Sequence, residues 1–375
     1  MHIDSLEIFQ VALPLRQPQQ TPYGRLETLQ TVLVRIDSGG VSGWGESSPG
    51  NAPLAGSEWA AGVFACVRDW MAPAVVGSTI DSGTALQERL ASIRGNQFAK
   101  AALDTAWWDL HARLRGEPLH QILGGQRSAI EVGVAFDRME TIDQLLDSIR
   151  RAFEAGYARV ELKFRPGWDL SMLNIVRHEF PVETFHIDCE AALKLDHMEI
   201  LLRLDDFRLA MVEQPLAADD LVGHAMVQES LRTPICLDEA ITTVDQAAIA
   251  LELHSGKFVN VKPGRVGGIT PAIAIHDCCH EECTPCWVGA MPQSAIGARL
   301  GYALAAKTNF TYPADLSPPP EFLADDVAEA PQPVRNADGK LQIALWPEPG
   351  IGVDPDPQRL EKLCLARAKL CVGGY

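Results

Sequence analysis

The stretch that decides the fold runs from Val160 to Lys262, and its informative parts are Val160-Glu161-Leu162-Lys163, Phe185-His186-Ile187-Asp188, Ala210-Met211-Val212-Glu213, Ile235-Cys236-Leu237-Asp238 and Phe258-Val259-Asn260-Val261-Lys262. Each is a short, largely apolar run that ends on a charge. The five charged residues follow one another at intervals of 25, 25, 25 and 24. One strand, one helix and two short connections fill such an interval. Solubility alone does not require a charge at the same place in every repeat. A functional site assembled at one end of a barrel does.

The period runs on in both directions. Residues 130–136 read as a strand one interval before Lys163, and Cys286-Trp287-Val288-Gly289 and Asn309-Phe310-Thr311-Tyr312 follow Lys262 at nearly the same spacing. Strands are therefore expected to end near 136, 163, 188, 213, 238, 262, 289 and 313, which makes eight. Helical pattern fills the gaps at 141–155, 170–178, 219–231, 243–253 and 271–280, with Asp169 placed to cap the second of these. Eight strands alternating with helices close most simply into a barrel whose working residues stand at the C-terminal strand ends. The expected fold is α/β, a TIM-type (β/α)7β barrel over residues 126–325.

The flanks read differently. Alternating runs at 2–15, 28–36 and 41–46, the last two joined by Ser38-Gly39-Gly40 as a hairpin, are followed by helical pattern over 57–114, so residues 1–125 form an α+β unit that ends at the Gly124-Gly125 turn. Beyond residue 325 prolines 331, 333, 347 and 349 break the period; 340–346 then reads as a strand and 358–370 as a helix. A segment 326–375 of this kind is expected to return to the N-terminal unit, with Gly350-Ile351-Gly352 as its turn.

Composition narrows the classes. The chain has 375 residues, 47% of them hydrophobic, which suits one barrel plus a smaller unit. A formal net charge of -17 argues against nucleic acid or an anionic membrane as partner, since both call for basic patches. The N-terminus lacks a basic segment followed by an apolar one, and no uncharged apolar stretch reaches the ~18 residues of a membrane span. Nine cysteines, an odd number scattered over a long chain, fit reduced thiols and a cytoplasmic location. The crowd of His276, Cys278, Cys279, His280, Cys283 and Cys286 invites a zinc reading, but it has no paired CxxC spacing and falls largely on a helix, so buried thiols are expected.

Asp188, Glu213 and Asp238 end consecutive strands and converge on one point. Hard oxygen donors with open positions suit Mg²⁺. Any one of them alone reads as a carboxylate at a helix N-terminus, but three in register with two flanking lysines read as a metal site. Lys163 and Lys262 end strands four apart in an eight-stranded ring and so face each other across it. A carboxylate substrate held between them would offer a lysine to each face. Its α-proton is too weakly acidic for a lysine unless cations meet the developing charge, and superfamilies that form enolates in this way pair a Lys or His base with Mg²⁺.

With these residues in place, the sequence resembles the enolase superfamily, in its muconate lactonizing enzyme subgroup, and is most similar to the o-succinylbenzoate synthase and N-acylamino acid racemase family. The phrases that carry the resemblance are Lys163-Phe164-Arg165-Pro166-Gly167-Trp168-Asp169, Glu213-Gln214-Pro215-Leu216, Thr233-Pro234-Ile235-Cys236-Leu237-Asp238-Glu239, Asn260-Val261-Lys262-Pro263-Gly264-Arg265-Val266-Gly267-Gly268 and Ala99-Lys100-Ala101-Ala102-Leu103-Asp104. The resemblance implies that Asp188, Glu213 and Asp238 bind Mg²⁺, that Lys163 is the acid/base on one face, and that Lys262 is an acid/base or enolate-stabilising cation on the other. It implies that Glu239 stands just behind the ligands and that loops 16–25 and 50–56 of a capping domain close over the substrate. Barrels of this kind often self-associate, which leaves room for a homo-oligomer.

The chain departs from the family pattern at four places. Glu161 stands where a lysine is usual two residues before the base, on the same strand face, and should raise the pKa of Lys163. Glu190 replaces an asparagine two after the first ligand, Ala240 a small hydroxyl residue, and Gln293 an acidic residue in the seventh-strand loop. The first two changes add negative charge, which disfavours a dicarboxylate and favours a substrate with a positive group, unless local basic residues pair with them. The expected activity is Mg²⁺-dependent α-proton abstraction from a small carboxylate, as o-succinylbenzoate synthase by syn-dehydration in menaquinone biosynthesis. The alternatives are an N-acylamino acid racemase or amino-acid-derivative epimerase, and a barrel that has lost catalysis and keeps a metal-dependent binding role.

Overall fold

The structure, a computed structural model, describes residues 1–21, 24–54, 56–319 and 322–373. Strands β1 (Ser5–Thr21), β2 (Gly24–Ser38) and β3 (Val41–Ser47) form an antiparallel sheet. Its period-2 pattern serves two cores. Leu6, Ile8, Val32, Val34 and Ile36 face helices of the N-terminal unit, while Phe9, Val11, Leu13, Leu29 and Leu33 join the large cluster that continues through the barrel. The longest helix, Gln97–Arg115, lies against β3. Two glycines permit this contact: a Cβ on Gly45 would sit 2.3 Å from the Ala106 backbone nitrogen, and one on Gly43 would sit 2.3 Å from that of Leu110.

Seven parallel strands follow: β4 (Ala129–Phe136), β5 (Val160–Lys163), β6 (Phe185–Asp188), β7 (Val212–Glu213), β8 (Ile235–Leu237), β9 (Phe258–Val261) and β10 (Cys286–Val288), each hydrogen-bonded to the next. Val160, Leu162, Ile187, Val212, Ile235, Leu237, Val259 and Val261 pack outward under the helices. The alternate residues point into the ring, where Met211, Cys236 and Trp287 form a small core of their own. Both faces are thus buried, which is why these strands read as nearly continuous apolar runs. Asp169 caps the helix Leu170–Glu179, its carboxylate accepting from the Ser171 amide, as its position in the sequence suggested.

The eighth strand differs from the expected 309–312. Phe310 makes a single parallel bridge to Cys286, and the ladder to β4 forms further on, at β11 (Ala314–Asp315), against Val132 and Gly133. Pro313 lies between the two contacts and has no N–H to donate, so the segment pairs with β10 and β4 in turn.

The C-terminal segment is divided between the two units. β12 (Pro333–Arg335) and β13 (Leu341–Ala344) form a hairpin that pairs antiparallel with β4 of the barrel. The expected helix at 358–370 is corrected: helix stops at Leu363, and β14 (Cys364–Cys371) pairs antiparallel with β1. The turn at Gly350-Ile351-Gly352 forms with positive φ at both glycines, and the Ile351 amide donates to Asp109 Oδ1 at 2.7 Å. The expected loop at 16–25 is also corrected, because β1 and β2 extend through it, with Gln19 opposite Leu26; its tip, residues 22 and 23, lies outside the described residues, as does Ala55 of the expected loop at 50–56.

Candidate active site

Parallel register brings the ladder of charges together. Lys163 is paired with Asp188 across β5 and β6, and Asp188 with Glu213 across β6 and β7. Asp238 and Lys262 directly follow β8 and β9. The Lys163 ammonium lies 2.6 Å from Asp188 Oδ2, 3.1 Å from Glu161 Oε1 and 3.1 Å from Glu190 Oε1. On the other side, Lys262 Nζ donates to Asp238 Oδ2 at 2.8 Å, and the Arg265 guanidinium binds the second oxygen of the same carboxylate.

Beneath this layer lies a second, more deeply buried one. Residues 159, 161 and 163 alternate to the same side of β5. Arg159, fully buried, contacts Asp315 at 2.5 Å and Glu161 at 3.5 Å and stands over the Trp287 ring at 4.9 Å. Gly133 makes room for it, since a Cβ there would fall 2.3 Å from Arg159 Nε. His186 Nε2 lies 3.3 Å from Glu161 Oε2 and 3.4 Å from Glu213 Oε2, and its other nitrogen is 3.1 Å from the Tyr312 hydroxyl. Asn260 Nδ2 donates to Glu213 Oε1 at 2.8 Å. Gln214, at φ +35, accepts from the amides of Asp238 and Ala240 at 2.9 and 3.1 Å and so ties the end of β7 to the turn after β8.

Electrostatics follow from this packing. Burial disfavours charge on Glu161, but Lys163, His186 and Arg159 outweigh it and hold the carboxyl well below its usual range. Burial would likewise lower Lys163, yet Glu161, Asp188 and Glu190 raise it well above an ordinary lysine, in the direction expected from Glu161. Asp238 is held low by Arg265 and Lys262 against its burial. Glu213 is less well answered: burial, then the charges of Asp188 and Asp238, push it up to about 8 against the opposing His186 imidazole 3.4 Å away. Its Oε2 is buried without a hydrogen bond. Glu239, raised to about 7 by burial and the adjacent Asp238, also keeps a buried oxygen without a hydrogen bond. Buried like charges that raise one another and keep an oxygen free of hydrogen bonds are a donor set a cation can take.

The remaining expected residues are placed as follows. Glu190 is exposed at the rim in a left-handed conformation, φ +46, with its amide donating to Asp188 Oδ1 at 2.9 Å. Gln293 does not join the carboxylates; it lines a cavity between barrel and N-terminal unit together with Lys262, Met291, Glu46, Ser48 and Thr105. Among the described residues, five to which the sequence reading gave no role stand in the site: Arg159, His186, Gln214, Asn260 and Arg265. The period-2 alternation of β5 and β6, carried back from Lys163 and Asp188, points to the first two. Among the described residues, the donor atoms of Glu161, His186 and Glu213 lie within 4.8 Å of one another.

Fold and site together define a barrel with a carboxylate cluster between two lysines, and the comparisons give that class its family. Residues 3–124 match the family described as Mandelate racemase / muconate lactonizing enzyme, N-terminal domain, and residues 144–359 match Enolase C-terminal domain-like. The chain belongs to the mandelate racemase and muconate lactonizing enzyme group of the enolase superfamily, whose members are enzymes that bind a divalent metal. It is 38% identical over 363 residues to an o-succinylbenzoate synthase of Geobacillus kaustophilus, covering 96% of each chain. It is also 38% identical over 354 residues to an N-succinylamino acid racemase of Thermus thermophilus, covering 94% of each. Among solved structures, an enolase superfamily member from Enterococcus faecalis V583 superposes with a TM-score of 0.92 at 34% identity, over 98% of this chain and 99% of that one. Among the described residues, no helix is long and apolar enough to cross a membrane.

Proposed function

We propose that the chain is a Mg²⁺-dependent enzyme that removes the α-proton of a small carboxylate, with Asp188, Glu213 and Asp238 as metal ligands and Lys163 and Lys262 working opposite faces of the substrate. The observation that carries this reading is the Glu213 carboxylate, buried near Asp188 and Asp238, with an oxygen that makes no hydrogen bond and faces the His186 imidazole at 3.4 Å. All three side chains offer oxygen, the donor a hard dication takes. The cluster of Glu161, His186 and Glu213 suits a cation less well, because Arg159 and Lys163 already answer the Glu161 charge. A cation held by the three carboxylates supplies the positive charge that makes an α-proton removable near neutral pH.

The lysines divide the remaining work. A bound cation would take up the charge of Asp188 that helps keep Lys163 protonated; Lys163, as its neutral amine, would then take the α-proton and, as the ammonium, return a proton to the departing hydroxyl on the same face, which leaves as water. Lys262 remains charged opposite, where it stabilises the enolate. That sequence is the syn-dehydration of an o-succinylbenzoate synthase, the activity we assign first because several relatives at 34–38% identity carry that name. Racemisation of an N-acylamino acid is the second reading. It draws on the same enolate with Lys262 as a second proton donor, and it is favoured by the relatives named N-succinylamino acid racemase.

Incubation in deuterium oxide separates the readings. Water loss from the dehydration substrate, abolished by Lys163→Ala and by Lys262→Ala, supports the first; deuterium appearing at the α-carbon of both enantiomers of an N-succinylamino acid supports the second. If neither lysine variant changes turnover of any acid offered, the enzyme reading falls and a metal-dependent binding role takes its place.

A further inference from the structure

The segment that carries Lys262 is not held by the barrel alone. Lys262 begins the short helix Pro263–Val266, and its carbonyl accepts from the amides of Arg265 and Val266 at 2.9 and 3.2 Å. That turn closes on Gly267 and Gly268, with φ of +101 and +122, where the Gly268 amide donates to Pro263 O at 2.8 Å. Asp104, from the middle of the long helix of the N-terminal unit, presses against this turn. Its Oδ1 accepts from the Thr270 amide and its Oδ2 from Gln87 Nε2, both at 2.9 Å. Gln87 Nε2 also lies 2.9 Å from the Gly267 carbonyl, and Trp108 Nε1 donates to Thr270 Oγ1 at 2.9 Å.

The fit leaves no slack: a Cβ on Gly268 would sit 2.4 Å from that of Asp104, and one on Gly83 would sit 2.1 Å from Thr270 Oγ1. Asp104 is fully buried, so each of its bonds acts where water does not compete. The segment after Lys163 is tied differently. There the Phe164 amide donates to Asp188 O at 2.8 Å, and Arg165 pairs with Asp137, all within the barrel.

We propose that Asp104 is a positioning residue for Lys262: through the 267–270 turn, the N-terminal unit sets the place of one lysine and leaves the other to the barrel. The proposal rests on the reading of Lys262 as the group that works one face of the substrate. Misplacing a reacting group by about 1 Å costs about a hundredfold in rate. Loosening the turn therefore impairs one face of the reaction selectively, which a general loss of stability does not do.

The test uses the full chain with Asp104→Asn and, separately, Gln87→Met at a half-buried position, which serves should the first variant fold poorly. Backbone amide hydrogen exchange over 262–270 is expected to rise in both, with exchange over 160–170 unchanged. N-succinyl-L-valine and its D enantiomer are then followed in deuterium oxide, with Lys262→Ala identifying the enantiomer that depends on that lysine. For this enantiomer α-proton exchange is expected to fall at least about tenfold with KM within twofold, and for the other to fall less than twofold. Unchanged amide exchange at 262–270, or equal loss for both enantiomers, overturns the proposal. If the unsubstituted protein exchanges neither enantiomer, the reading of Lys262 as a proton-transfer group falls, and amide exchange alone decides whether Asp104 holds the turn.

Discussion

At Lys163 the neighbour two residues earlier is a carboxylate where the family pattern has an ammonium, and the protein rearranges around it. Glu161 is enclosed by Arg159, Lys163 and His186, so the positive charge has moved one strand layer deeper, onto a guanidinium with its own counterion in Asp315. The substitution at 161 was legible in the sequence; alternation along β5 puts Arg159 on the same face, but its place in the site depends on Gly133 of the neighbouring strand vacating the space. If Glu161 steadies Lys163, Glu161→Gln lowers kcat for α-proton exchange about tenfold or more with little change in KM, as steady-state kinetics will show. Arg159→Met removes the ion-pair partner of half-buried Asp315 and one of the three basic neighbours of Glu161, and is expected to lower stability by about 3 kcal/mol in a denaturant titration. Combined with Glu161→Gln it should cost less than the sum of the two, since they share one network.

Elements were legible where a period repeats and less so where a partner decides. The helices and strands of the barrel stand close to where 25-residue spacing put them, because each strand is buried on both faces and each helix on one. Residues 364–371 misled: Leu365, Ala366, Ala368, Lys369 and Leu370 favour helix locally, yet the segment alternates half-buried and exposed side chains along β1. The unpaired hydrogen-bonding edge of β1 overrides propensity there. Truncation after Leu363 is accordingly expected to expose that edge and cause concentration-dependent aggregation, measurable by light scattering. The contact between β3 and the helix Gln97–Arg115 depends on two glycines, so Gly45→Ala is expected to cost about 1–3 kcal/mol or more by overpacking, read from the unfolding midpoint.

For the whole molecule, three buried carboxylates of like charge stand at the ends of neighbouring strands, which sets site against stability. Adding Mg²⁺ should therefore raise the unfolding midpoint, by about 2.7 kcal/mol of stability at a hundredfold excess over Kd. Asp188→Asn and Asp238→Asn together should abolish that increment while leaving a folded protein; an equal increment in this variant, measured by thermal melting, would rule these residues out as ligands. The sequence by itself determined the scaffold and the five charges that stand at its strand ends, because strand spacing and strand-end charge are local and periodic. Tertiary structure decided what surrounds each of them: Arg159 and His186 beneath Lys163, Gln214 tying β7 to the turn after β8, Asp104 reaching from the N-terminal unit to the Lys262 turn. Those relations join residues far apart in the chain and arise from close packing in three dimensions, which no spacing along one dimension encodes.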